Sequence, residues 1–332
     1  MSSADSGHLA GTRNGGMTGV RRANEDALKD VAPGDLSGGI MPRDLFDEWY
    51  QRIQDTSQLM DMVRTEILPR PKMELARIGV GERMRRGAGT EEGTSDGSAE
   101  VNTDGIEMDA EKGVLNWDLP RETVEDTIGQ VDEIVLDKMA NQWAVDTQDL
   151  GINGDTADTS GGDSQAFLTQ NDGWLKILND RGDTNTYDHQ SGAIDTSLFH
   201  EARAALPNRF KRSAAVNEPV YMMNLSQIEE WEYDLTQRED PLGAAVIFSD
   251  DDLTPFNYDI YGFAGWPEGT ALFTYPENLI YGVWRDTEIE VLDATDKTAE
   301  NDLWARYFMR TRDDFQVEDE EGAVLINNIA TS

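Results

Sequence analysis

Apolar positions along this chain switch between helical and strand spacing several times, and that alternation defines its elements. Residues 1–37 are rich in Gly, Ser and Asp with little periodicity, and read as a flexible arm with a short helix around Arg22–Leu28. Pro42 is placed to open a helix, because its missing N–H costs nothing in a first turn. Leu45, Trp49 and Ile53, then Leu59, Met62 and Val63, form a helical stripe with a break near Thr56-Ser57. An extended piece begins at Thr65–Leu68 and is stopped by Pro69 and Pro71. Met73, Leu75, Ile78 and Val80 then alternate weakly. The segment 87–100 holds no apolar residue larger than Ala, and Val101 to Leu119 read as returning strands. The whole of 70–119 therefore reads as one long hairpin arm, burying little against its own core and lying on a neighbour.

Val124, Ile128, Val131, Val135, Met139 and Trp143 recur every three or four residues, which predicts a helix over 121–150. At about 1.5 Å per residue such a helix is about 45 Å long. A Gly/Asp-rich loop follows at 151–165, a short apolar piece after Gly173, and a polar stretch at 179–193. Ile194 to Leu206 predict a second helix over 194–210, PVYMMNL at 219–225 a buried strand, and Leu225–Leu235 a third helix. Turns and short strands occupy 238–267. The chain ends in strands: ALFTYPENLIYGVW, TEIEVLD, the alternating LWARYFMRTRDDFQV at 303–317, and AVLINNI at 323–329. The fold class is α+β, with long helices early and antiparallel strands late.

Composition adds the solvent. There are 65 acidic and 28 basic residues, a formal charge of -37, among 332 residues without cysteine. At molar salt the Debye length is about 3 Å, so such self-repulsion is silenced, and the chain reads as built for brine. The charge is uneven. Residues 1–86 carry 13 residues of each sign, and all of the excess lies in 87–332, with 52 acidic against 15 basic. This division suggests that the neutral part faces a partner while the rest faces solvent. No apolar run approaches the length of a membrane span, and no apolar core of a signal peptide opens the chain.

Catalytic chemistry is hard to place. Thiolate and Cys-zinc chemistry are excluded, and neither a phosphate-binding glycine motif nor His-Glu-x-x-His nor Gly-x-Ser-x-Gly is present. His8 falls in the arm, His189 in a polar loop, and His200 on a helix with a surface or capping role. Asp250-Asp251-Asp252 and the loop 149–163 offer oxygen ligands of the kind that hold Ca²⁺ or Mg²⁺, yet neither matches the twelve-residue calcium loop. A solvated acidic loop is the favoured reading, and no cofactor is expected. The strongest basic cluster is Arg70, Lys72, Arg77, Arg83, Arg85 and Arg86. Few aromatics interleave with it for base stacking, so salt bridges to an acidic neighbouring subunit are the favoured role.

In order and spacing, five segments resemble the major capsid proteins of tailed viruses with the HK97-type fold. They are GGIMPRDLFDEWYQRIQDTSQLMDMVRTEIL, the 70–119 hairpin, the helix ending in DLGINGD, the run SLFHEARAALPNRFKRSAAVNEPVYMMN, and the closing strands from YPENLIYGVW to AVLINNI. The resemblance covers roughly 36–330, and no single motif in it is diagnostic. It implies an N-terminal arm (1–37), the start of the core (38–69), an E-loop across the adjacent subunit (70–119), a P-domain (120–196) with spine helix 121–150, an A-domain (197–300) and closing strands (301–332). It further implies self-assembly into hexamers and pentamers of an icosahedral virion shell around double-stranded DNA, which the shell touches non-specifically, with no membrane. Portal, scaffolding, decoration and turret proteins are the implied partners. The arm is short for a fused scaffold. The loop 87–100 holds no Lys, which argues against the Lys–Asn crosslink known in some members. With the acidic composition, the resemblance points to a virus of a halophilic archaeon, assembled in the host cytoplasm. The alternatives are an encapsulin-like nanocompartment shell, a halophilic surface or tail structural protein, and a soluble metal-dependent enzyme.

Overall fold

The computed structural model describes residues 39–40, 57–80, 101–122, 131–213, 218–236, 255–284, 288–292 and 296–331. The predicted helix after Pro42, the loop 87–100 and Asp250–Asp252 lie outside them. Strands are β1 (Gly39–Ile40), β2 (Arg64–Leu68), β3 (Lys72–Val80), β4 (Val101–Asp109), β5 (Glu111–Pro120), β6 (Asn185–Gly192), β7 (Val220–Asn224), β8 (Ile260–Phe263), β9 (Ala271–Thr274), β10 (Leu279–Trp284), β11 (Glu288–Leu292), β12 (Leu303–Val317) and β13 (Ala323–Ile329). Helices are α1 (Gln58–Met62), α2 (Val131–Asn153), α3 (Asp163–Leu168), α4 (Trp174–Asp180), α5 (Thr196–Ala205), α6 (Asn208–Ser213), α7 (Leu225–Thr236) and α8 (Asp296–Glu300).

The break foreseen at Thr56-Ser57 is a helix start. Ser57 caps α1, its hydroxyl accepting from the Met60 N–H at 3.3 Å and donating to Gln148 Oε1 on α2 at 2.7 Å. One residue thus satisfies an orphan amide and ties α1 to the long helix. On α2, Met139, Trp143, Thr147 and Leu150 are buried at spacings of three and four, continuing the stripe read from the sequence. The helix runs three residues past the expected end at 150.

A six-stranded sheet takes the order β1-β11-β12-β10-β2, with β5 on the free side of β12. A five-stranded sheet, β6-β13-β9-β7-β8, forms the second layer system. Consecutive strands β9 and β10 cross from one sheet to the other, and so do β12 and β13. Asn278 stitches the two crossings together. It donates to Thr274 Oγ1 (3.0 Å) and the Asp319 carbonyl (2.9 Å), and accepts from the Asp319 N–H (2.8 Å).

One core lies between the first sheet, α2 and α4, reaching Val220, Met222 and Leu272 of the second sheet. Another packs Leu198, Phe199 and Ala202 of α5 and Trp231 and Leu235 of α7 onto the five-stranded sheet. The turn after α2 brings backbones into contact. A Cβ added to Gly173 would lie 2.7–2.8 Å from Gly151 O, Gly154 N and Leu150 O. Backbone cannot swing away as a side chain can, so Gly173→Ala is expected to destabilise the protein by about 1–3 kcal/mol, the usual cost of overpacking. Urea unfolding at neutral pH checks this.

Three expectations change. The 70–119 segment is not one hairpin: β3 and β4 pair with each other, but β5 pairs along β12 from Leu303↔Pro120 to Asp313↔Glu111. Every second residue of β5 from Lys112 to Pro120 is exposed, while Gly113 and Leu119 are buried, so β5 belongs to the body. The helix foreseen over 194–210 is two, α5 capped by Asp195 and α6 beginning after Pro207. The polar stretch 179–193 contains β6, a parallel edge strand on β13. His189 is buried there instead of lying in a loop, its Nε2 2.9 Å from the Ala193 carbonyl oxygen. A polar edge strand has no hydrophobic period to reveal it.

Candidate functional site

The predicted basic cluster is only partly placed. Arg70 is exposed in the turn between β2 and β3, and Lys72 is exposed at the start of β3. Arg77 lies on β3 in register with Asp104 of β4. Arg83, Arg85 and Arg86 lie outside the described residues. Lys72 forms an ion pair with Asp109 of its own hairpin, and the hydrogen bond it donates to that carboxylate, with the carboxylate's charge, raises the lysine above its ordinary range.

The acidic loop after α2 is internally occupied. Asp155 accepts from the Ala157 N–H, Asp158 from the Ser160 N–H and hydroxyl, and Asp172 from the Thr156 N–H and hydroxyl, all at 2.7–2.9 Å. Such turns use carboxylates as backbone acceptors. Among the described residues, no group of three or more His, Asp or Glu is placed to hold a metal ion. No described helix is long and apolar enough to cross a membrane.

The most organised chemistry sits on β12. Its odd positions from Leu303 to Thr311 are buried towards α2, while Trp304, Arg306, Phe308, Arg310 and Arg312 form the outer face. Arg306 pairs with Asp118 on β5, and that hydrogen bond with its charge holds Asp118 below the usual carboxylate range. Arg310 reaches Glu290 on β11 at 3.0 Å. Both guanidinium carbons also sit within 6 Å of the Phe308 ring centre, and that of Arg312 lies 5.6 Å from the centre of the Trp284 ring. These are favourable cation–ring contacts.

Alternation fails at Asp313, Asp314 and Phe315, which are all buried. The cause is a second cover. On one side lie α2 and α4, and Asn171 donates to the Asp313 carbonyl at 2.9 Å. On the other, the root of the β3–β4 hairpin crosses the sheet. A Cβ on Gly282, the cross-strand neighbour of Asp314, would meet the Met108 methyl at 2.3 Å. Asp314 Oδ2 accepts the Asp109 N–H at 2.9 Å, which fastens that root. Burial, then the neighbouring Asp314 charge, pushes Asp313 up to about 7; burial pushes Asp314 to about 6. The acid pair and the arginine face passed unrecognised as sites in the sequence, although the Arg alternation in a strongly acidic chain was visible there.

No family model matches the chain. A Bacillus subtilis (strain 168) prophage protein, YqbE, provisionally named as a capsid protein, is 24% identical over 273 residues, covering 77% of this chain and 83% of its own length. Among solved structures, a satellite phage P4 procapsid chain superposes with TM-score 0.64 at 14% identity, over 86% of this chain and all of that one. A capsid chain of a native GTA particle gives 0.59 at 11% identity, over 83% and 91%. A virus-like particle from Pyrococcus furiosus gives 0.52 at 8%, over 84% and 96%. The α+β fold therefore resembles HK97-like capsid structures.

Proposed function

We propose that this chain is the major capsid protein of a tailed virus. It assembles with its copies into hexamers and pentamers of an icosahedral shell around double-stranded DNA, with portal, scaffolding and surface proteins as further partners. The observation that carries the reading is the fold likeness to a procapsid chain along that chain's entire length. The prophage relative, matched over most of its sequence, supports it. The β3–β4 arm is the E-loop, lying across the adjacent subunit, with Arg70, Lys72, Arg77, Arg83, Arg85 and Arg86 as contacts. Helix α2 is the spine of the P-domain, and the five-stranded sheet belongs to the A-domain.

The charge of -37 supports a halophilic archaeal host, with assembly in its cytoplasm. Diluting molar salt to 0.1 M lengthens the Debye length from about 3 to about 10 Å, so acidic subunits repel across each contact. Closed shells are expected by electron microscopy in molar KCl, loosening or dissociating on dilution. A monodisperse monomer in molar salt would overturn the capsid reading, and shells intact in dilute, divalent-free buffer would overturn the salt dependence. A shell that is not a virion, holding protein in place of DNA, is the second reading, and the likeness to a virus-like particle supports a shell of that kind. Particle contents decide between them.

A further inference from the structure

We propose that the outer face of the six-stranded sheet, around Lys112, Val114, Trp304 and Arg312, seats an acidic surface of a second copy of this chain. Such a seat presupposes that the chain is a shell subunit.

The face is built by register. Arg306, Arg310 and Arg312 of β12 stand across from Asp118, Val114 and Lys112 of β5, so all six side chains project from the same side. That side is open where the hairpin root does not reach: Val114 is 53% and Trp304 47% exposed. Phe308 stands between Val114 and Trp304 on the same face, so the three run as a ladder along the two strands. Aromatic and Arg side chains are also the residue types enriched at interface centres.

Charge selects the occupant. Asp118 answers Arg306 and Glu290 answers Arg310, but Arg312 and Lys112 have no carboxylate partner among the described residues. The face thus keeps a positive surplus in a protein with 65 acidic and 28 basic residues. Any second copy presents mostly acidic surface, so complementarity is built into self-association. A nucleic acid fits less well, because its phosphates would meet Asp118 and Glu290 inside the same ladder. The seat and the acidic surface are different patches, which suits a head-to-tail contact of the kind that closes into rings. At molar salt only contact-range pairs survive screening, which favours ion pairs packed beside Val114 over long-range attraction.

The test uses the full chain in molar KCl. The double variant Lys112→Glu, Arg312→Glu changes two partly or fully exposed side chains, and a cooperative urea melt checks that it folds despite losing the Arg312–Trp284 contact. Its concentration for half-assembly, read by sedimentation, is expected to rise at least tenfold. In parallel, a photo-crosslinking residue (benzoylphenylalanine) at Trp304 is expected to join chain to chain, with the adduct in an acidic peptide of the second copy. Wild-type assembly by the double variant, or adducts with nucleic acid in place of protein, overturns the seat while leaving the capsid reading intact. A wild-type chain that never assembles removes both.

Discussion

Replacing Asp313 with Asn stabilises the protein at pH 8 by on the order of 4 kcal/mol and changes it little at pH 4. Asp313 is 4% exposed, and burial raises its carboxyl to about 7, well above the usual carboxylate range. A raised carboxyl binds its proton more tightly in the folded than in the unfolded chain. Its contribution is therefore fully present below about pH 4, where both states are protonated, and is lost as pH rises to about 7. Each tenfold change in proton affinity is worth about 1.4 kcal/mol, which sets the stated size. Asp314, up to about 6, titrates beside it, and the two behave as a coupled pair. Urea unfolding of wild type and Asp313→Asn at pH 4.5, 6 and 8 checks this. A difference that does not grow with pH would show that the carboxyl is not raised.

Trp174→Ala is expected to cost about 3–5 kcal/mol, the range for emptying a buried aromatic site. Trp174 is 1% exposed at the start of α4. Its Nε1 donates to the Ile280 carbonyl at 3.1 Å, and its ring meets Phe315 edge-on at 5.1 Å between centres. A Cβ on Gly151 of α2 would come within 2.8 Å of the same ring. Three elements close on one side chain, so relaxation cannot fill the hole. Trp174→Phe keeps much of the packing and loses the hydrogen bond, and should cost about 1–2 kcal/mol. If both variants unfolded at the wild-type urea midpoint, Trp174 would not be what fastens α4 to the sheet.

Much of this architecture was legible because its signals are local. The stripe through Met139 and Trp143, the strand 323–329, the break at Thr56-Ser57 and the α7 helix all follow from spacing within one element. Leu206-Pro207 showed where a helix stops, but not that α6 follows at once. Strand β6 was missed because Asn185–Gly192 is mostly polar and owes its pairing to β13, over a hundred residues away. Strand β5 was assigned to the arm because its alternation with that of β4 is interrupted only at Ala110. Which partner each strand would choose is not written in either one.

The same boundary runs through the candidate surfaces. The sequence by itself determined the acidic balance, the neutral first quarter, the long helix and the alternation of Arg with aromatics at 303–317, since each is a property of neighbouring residues. Only the tertiary structure decided which side of β12 faces water and where that alternation ends. It placed Lys112 beside Arg312, and it covered Asp313 and Asp314 from both sides with α2, α4 and the hairpin root. A strand's period tells that two faces differ; burial depends on what packs against each face, and here the contacts that cover Asp313 and Asp314 come from 142 and 205 residues away along the chain.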